Sequence, residues 1–182
     1  MILEDGVLRI RDATTEDAGL LCGWWNDGRV MAHAGFPLGL QTTSDRIAID
    51  LANDTDETHR RLILEIENHP IGEMNYRNKG EGVVEIGIKI CDETKREVGF
   101  GTRFLRLLIE HLFDVRGYRK VILDTNLDNR RAQHVYEKLG FQKTAVHIDS
   151  WKNQLGVLQS QVLYQLTFED YTSAKRGLQN SF

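Results

Sequence analysis

The sequence predicts a mixed α/β domain with one central, mostly antiparallel sheet of about seven strands, flanked by about four helices. Three observations carry this prediction. Segments with the two-residue alternation of strands and segments with the 3.6-residue spacing of helices follow one another in the order β-α-α-β-β-β-α-β-α-β-β. The three strands in the middle are separated only by "NHP" and "NKGEG", turns too short for a crossover, so they read as an antiparallel meander. The chain has 182 residues, enough for one sizeable core and too few for two, and no repeat or low-complexity segment divides it.

Each element has its own justification. "VLRIRDA" alternates, with Val7 and Arg9 on one side and Leu8 and Ile10 on the other. "TTEDAGLLCGWWND" opens with Thr14 or Thr15 as a cap and acids in its first turn, where the helix dipole favours them, and Leu20, Leu21, Trp24 and Trp25 give it an apolar face. "GFPLGL" breaks the chain. "TTSDRIAIDLANDTDE" restarts a helix from a Thr42–Ser44 cap through Ile47, Ile49 and Leu51. "HRRLILEIE", "IGEMNYR" and "VVEIGIKI" are the meander strands. A helix from Thr102 to about Val115 follows, with Phe104, Leu107, Leu108, His111, Leu112 and Val115 at helical spacing. "RKVILDT" is a compact apolar strand. Asn129 to Leu139 is the last helix, with Ala132, Val135, Tyr136 and Leu139 at i, i+3, i+4 and i+7 and Gly140 where a left-handed C-cap belongs. "FQKTAVHIDSW" and "QSQVLYQLTF" close the sheet, and residues from about 172 onward read as a loose tail of the single domain 1–182.

Composition narrows the function. Hydrophobic residues make up 41% and charged residues 27%, and the net charge is −4. With no long basic run, nucleic acid is not the expected partner. Cys22 and Cys91 lie far apart without a CxxC companion, which argues for inert thiols in a reducing compartment. The six histidines are scattered and form no metal pattern, so no metal is expected. The first residues lack the apolar stretch of a signal peptide, and no apolar run reaches a membrane span, so a cytoplasmic protein with no membrane partner is expected.

The loop "REVGFGTRF" joins a strand to a helix. Such a junction presents free N–H groups at the positive end of a helix dipole, and Gly99 and Gly101 remove Cβ atoms so that a diphosphate can approach the main chain. Arg96 and Arg103 add positive charge. The alternative is a flexible glycine hinge. A dinucleotide fingerprint fails because Phe104 stands where a third glycine is needed, and a Walker loop fails because Gly-Thr-Arg replaces GK[ST].

Arg96-Glu97-Val98-Gly99-Phe100-Gly101 resembles the R/Q-x-x-G-x-G/A pattern of the GNAT superfamily of acetyl-CoA-dependent N-acetyltransferases. "NRRAQHVYEKLGF" resembles that family's other signature, N-x-x-A-x-x-x-Y-x-x-x-G-F. The element order is similar over Val7 to Phe168, and "WWNDGRVMAHAGFP" is similar to the branch holding ribosomal-protein N-terminal acetyltransferases. The resemblance implies acetyl-CoA as co-substrate. In that family the fourth strand splays from the fifth and pantetheine lies in the gap. It would here run along the main chain of Ile88, Lys89 and Ile90, with the pyrophosphate on amides of Val98, Gly99, Phe100, Gly101 and Thr102, Arg96 at the loop entrance, and Asn129 facing the cofactor or simply capping its helix.

The resemblance also assigns Tyr136 to the thioester sulfur, where a phenol can protonate the departing thiolate. An amine nucleophile has a pKa of about 10 and must lose a proton. Glu85 is the candidate base, alone or through water, with a solvent-facing strand glutamate as the alternative reading and Glu73 as its competitor. The acceptor would lie against the first two helices, near Trp24, Trp25 and Asp27. It would be a small-molecule amine or a peptide N-terminus. The acids of that region can equally be a solvated face. A homodimer through the C-terminal strands is expected by analogy. A non-catalytic acyl-CoA-binding or regulatory module on the same fold is the competing function.

Overall fold

A computed structural model describes residues 1–96 and 99–179. The strands are β1 (Ile2–Asp5), β2 (Leu8–Asp12), β3 (His59–Ile66), β4 (His69–Gly80), β5 (Val83–Ile90), β6 (Lys120–Asn126), β7 (Gln142–Lys152) and β8 (Leu158–Thr167). The helices are α1 (Ala18–Asn26), α2 (Gly28–Met31), α3 (Ser44–Ala52), α4 (Phe100–Glu110), α5 (Arg130–Lys138) and α6 (Phe168–Gln179). The strands form one sheet in the order β1-β2-β3-β4-β5-β6-β8-β7. Every neighbouring pair is antiparallel except β5 and β6, which α4 connects as a parallel crossover.

Alternation along the strands sends two apolar sets to opposite faces. Leu62, Leu64, Met74, Val84, Ile86, Val121 and Leu123 join Phe104 and Leu108 of α4 and Tyr136 of α5 in the larger core. Ile63 joins Leu21 of α1 and Ile47 and Leu51 of α3 in a smaller one. Thr14 begins the first helical region through a capping box with Asp17, and Thr43 caps α3 by accepting from the Arg46 amide.

Four expectations change. The sheet has eight strands, because the short acid-rich segment Ile2–Asp5 adds β1 by pairing along β2. Between α1 and the expected break at "GFPLGL" lies the additional four-residue α2, capped by the Asp27 side chain. The tail expected to be loose from residue 172 is instead helical to Gln179. Thr167 accepts from the Asp170 amide and donates to its carboxylate, Phe168 and Tyr171 pack on Phe113 at 5.8 and 4.9 Å between ring centroids, and Lys175 pairs with Asp114 at 3.0 Å. The helix expected to run to Val115 is α-helical to Glu110 and ends in a π turn, His111–Val115, that leaves Val115 71% exposed.

Candidate active site

The two central strands separate. β5 pairs with β6 only through Val83, Val84 and Glu85, opposite Lys120, Val121 and Ile122. Beyond that point β5 continues to Ile90 bonded only to β4, and β6 continues to Asn126 bonded only to β8. The main chain of Ile86 to Ile90 therefore turns one edge toward an open wedge. That edge holds Ile88, Lys89 and Ile90, and an extended, amide-bearing chain fits it as an added strand. The wide end of the wedge opens into a space of about 670 Å³ lined by His33, Glu93, Arg96, Asp128, Asn129, Arg130 and Arg131.

The start of α4 lies at this opening. Gly99 is its N-cap at φ +85°, a conformation that costs an L side chain of order 1 kcal/mol, and no side chain caps the helix. Among the described residues a Cβ on Gly99 would meet nothing within 4 Å, and one on Gly101 would come no closer than 3.9 Å to Ile90, so the helix mouth is uncrowded at both positions. Arg96 holds the strand end by donating to the Ile90 carbonyl at 3.0 Å, which keeps its charge at the entrance. Arg103 faces elsewhere. Its guanidinium pairs with Asp5 at 2.8 Å, so it ties α4 to the β1–β2 turn. Val98, expected in the same cradle, lies outside the described residues.

At the other lip, Asn129 caps α5 by accepting from the Ala132 amide at 3.2 Å while lining the opening. Gly140, at φ +92°, closes the same helix, and the Phe141 amide returns to the Tyr136 carbonyl at 3.0 Å. These two caps fix the pitch of α5, and so the position of Tyr136. Its ring packs edge-on to Tyr164 at 5.7 Å and is 7% exposed. Among the described residues its hydroxyl has no hydrogen-bond partner. Burial, then the charge of Asp124, holds the phenol well above its ordinary pKa, so it is a protonated donor at neutral pH.

Where the strands part, a cleft of about 180 Å³ is lined by Glu85, Ile122, Leu123, Asp124, Thr144, Leu163, Tyr164 and Gln165. Glu85 sits at its edge, with Lys79 at 3.3 Å and Arg77 at 3.8 Å from its carboxylate. Glu73 is 4% exposed and paired to Lys89 at 2.9 Å. Asp124 was not singled out by the sequence reading, although an acid interrupting the apolar run "VILDT" is a visible signal. It stands at the solvent rim, yet the surrounding protein raises its pKa, and the charge of Glu85 adds to this. Cys91 is buried, its thiol pushed up to about 12 by desolvation and then by Glu73, which suits it poorly to nucleophilic attack.

On the acceptor side Trp24 and Trp25 are half-buried against the smaller core, and Trp25 also lies 5.9 Å from the Arg61 guanidinium. Asp27 is committed to Arg29, whose side-chain and backbone N–H groups lower its pKa. The acids after α3 are paired as well, Asp54 with Arg61 and Asp56 with Arg60, Arg116 and Tyr76. A strap joins the turn after β7 to the loop before α3. Gln154 donates through its amide to the Gly35 carbonyl at 2.8 Å, accepts from Leu38 at 2.9 Å and donates to Gly39 at 3.0 Å, while Trp151 lies flush against Gly35.

This geometry has known counterparts. Residues 8–142 match the family described as the acetyltransferase (GNAT) domain. The fold is similar to a spermidine N-acetyltransferase from Vibrio cholerae in complex with CoA and spermine. The TM-score is 0.81, with 19% identity over 92% of this chain and 99% of that one. It is also similar to RimL, a ribosomal L7/L12 α-N-protein acetyltransferase in complex with coenzyme A. Here the TM-score is 0.82, with 15% identity over 93% of this chain and 99% of that one. A segment of 80 residues, 44% of this chain, is 39% identical to mycothiol acetyltransferase from Cellulomonas flavigena, and it spans only 23% of that relative.

Proposed function

The chain belongs to the GNAT acetyltransferase family, and from that premise we propose that it moves an acetyl group from acetyl-CoA directly to a primary amine, on a small molecule or a peptide N-terminus. The observation that carries this reading is the wedge. Pairing between β5 and β6 stops after three residue pairs, and a tyrosine that is buried as a residue, with no hydrogen-bond partner for its hydroxyl among the described residues, stands near where they part. The pantetheine arm would bond to the free edge of Ile88 to Ile90. Its pyrophosphate would rest on the first amides of α4, with Arg96 and Asn129 at the two lips. Tyr136 would then protonate the departing thiolate, and a carboxylate in the cleft would take the amine's proton, Glu85 being the one the sequence puts forward. Both named counterparts act on amines, one on spermidine and one on a protein α-amine. The acceptor of this chain lies between those classes. Trp24, Trp25 and Asp27 are the residues proposed to border it, with Glu73 of β4 as a further candidate. A dimer would use the free edge of β7, where Val146 and Ile148 are exposed.

The test pairs purified protein and acetyl-CoA with polyamines, aminoglycosides, amino acids and short peptides, read by release of free thiol. Turnover with one class is expected. Tight CoA binding without turnover of any amine would instead support a non-catalytic acyl-CoA-binding module.

A further inference from the structure

We propose that Asp124 is the carboxylate that accepts the proton of the attacking amine, and that Glu85 tunes it from across the wedge. This inference rests on acetyl transfer to an amine being the reaction. Position is the first argument. Ile122 is the last β6 residue paired to β5, and alternation puts Asp124, two positions on, on the same face of the sheet as Ile122 and Glu85. Asp124 is thus the first acid past the point where the strands separate. Tyr136 belongs to the core on the opposite face, packed with Leu123 and Ile86. The proton donor and the proposed acceptor flank the gap from its two sides, close enough for the charge of Asp124 to act on the phenol.

Availability is the second argument. Glu85 is held by Lys79 and Arg77, and Glu73 by Lys89. Among the described residues the Asp124 carboxylate has no ion pair and accepts no hydrogen bond from another residue. The groups lining the cleft beside it are Glu85 from β5, Leu163, Tyr164 and Gln165 from β8 and Thr144 from β7. Glu85 is the one charged neighbour that acts on it, and it acts by repulsion, which strengthens the base. An ammonium entering the cleft supplies the missing counter-charge.

The step balances. The ammonium gives one proton to Asp124, and the freed lone pair forms the N–C bond to the thioester carbonyl. The C–S bond breaks, Tyr136 protonates the sulfur, and the second N–H proton of the adduct restores the phenol.

Two measurements test this. In protein labelled with 13C at aspartate carboxyls, the resonance lost in Asp124→Asn is expected to titrate above the ordinary aspartate value of about 4. It should move down in Glu85→Gln. With spermidine and a tripeptide amide as acceptors, Asp124→Asn should lower kcat about 10²-fold and remove the acidic limb of the pH profile. Glu85→Gln should shift that limb to lower pH without removing it. CoA affinity and Tm of Asp124→Asn should match the parent protein. Full activity in Asp124→Asn, or a limb removed by Glu85→Gln instead, overturns the assignment. So does an Asp124 resonance that titrates at the ordinary value and ignores Glu85. If no amine of the full panel is turned over, the acetyl-transfer reading fails and the base role falls with it. That outcome is distinct from an active enzyme indifferent to Asp124.

Discussion

Tyr136 is one side chain that packs the core and, in the proposed reaction, also supplies a proton. Its ring fills the core against Tyr164 and Phe141, which a phenylalanine would do equally well. Its hydroxyl has no hydrogen-bond partner among the described residues, so the folded protein gives up no such bond when it is removed. Changing Tyr136 to Phe is therefore expected to leave Tm and CoA affinity little changed, while kcat falls by roughly 10²-fold. An unaltered kcat would remove the tyrosine from the chemistry. The sequence made this residue legible because a single hydroxyl in an apolar helical stripe, inside a capped and glycine-terminated helix, is an anomaly that packing alone does not require. Asp124 was less legible. Its meaning depends on where β5 stops pairing with β6, and no local pattern encodes that.

At the scale of elements, the site is a helix mouth beside a strand gap. Gly99 serves the mouth twice, by accepting a positive φ and by leaving the approach to the amides clear. Gly99→Val should raise the Kd for CoA at least tenfold, about 1.4 kcal/mol, as measured by calorimetry. Gly99→Ala shares most of the backbone cost with a smaller obstruction and should lose less. Equal CoA binding by all three proteins would place the diphosphate elsewhere. The helix α4 connects the two parallel strands, and its Phe104 and Leu108 share the larger core with Val84 and Ile86 of β5 and Val121 and Leu123 of β6. The meander and both signature helices were legible from periodicity and turn residues. The missed β1 and α6 are held by long-range partners, β2 and the Phe113–Asp114 region, which lie outside any local window.

For the whole molecule, the charged groups around the sheet predict a pH profile for stability. His59 is half-buried at the start of β3 with a ring nitrogen unpartnered, and burial followed by Arg61 and Arg77 lowers its pKa to about 4 from 6.5. The unfolded chain therefore binds a proton between about pH 6.5 and 4 that the folded chain refuses. Stability is complete above that window and declines as pH falls through it. Asp17 and Asp56 act next. Burial opposes their ionised forms, but the hydrogen bonds and charges of Arg11, and of Tyr76, Arg60 and Arg116, outweigh it and lower both pKa values. Their contribution is present above the ordinary carboxylate value and is lost as pH falls through the lowered ones. Tm measured across pH should slope downward below 6.5, and His59→Gln should flatten the upper part of that slope. A slope unchanged in the variant would mean that other groups titrate there.

Taken alone, the sequence determined the fold class and the family resemblance, and it put forward the glycines and the tyrosine of the proposed site. Each of these is written in local spacing, because helix pitch, strand alternation and positive-φ turns act over a few residues. Only the tertiary structure decided which charges are spent and which are free. Arg103 and Asp27 look available in the sequence and are tied to Asp5 and Arg29. Glu73 and Glu85 look like bases and carry cations. Among the described residues Asp124 stands unpaired beside the gap. Charge pairing is settled by groups brought together from distant parts of the chain, so its outcome enters with the register of the sheet.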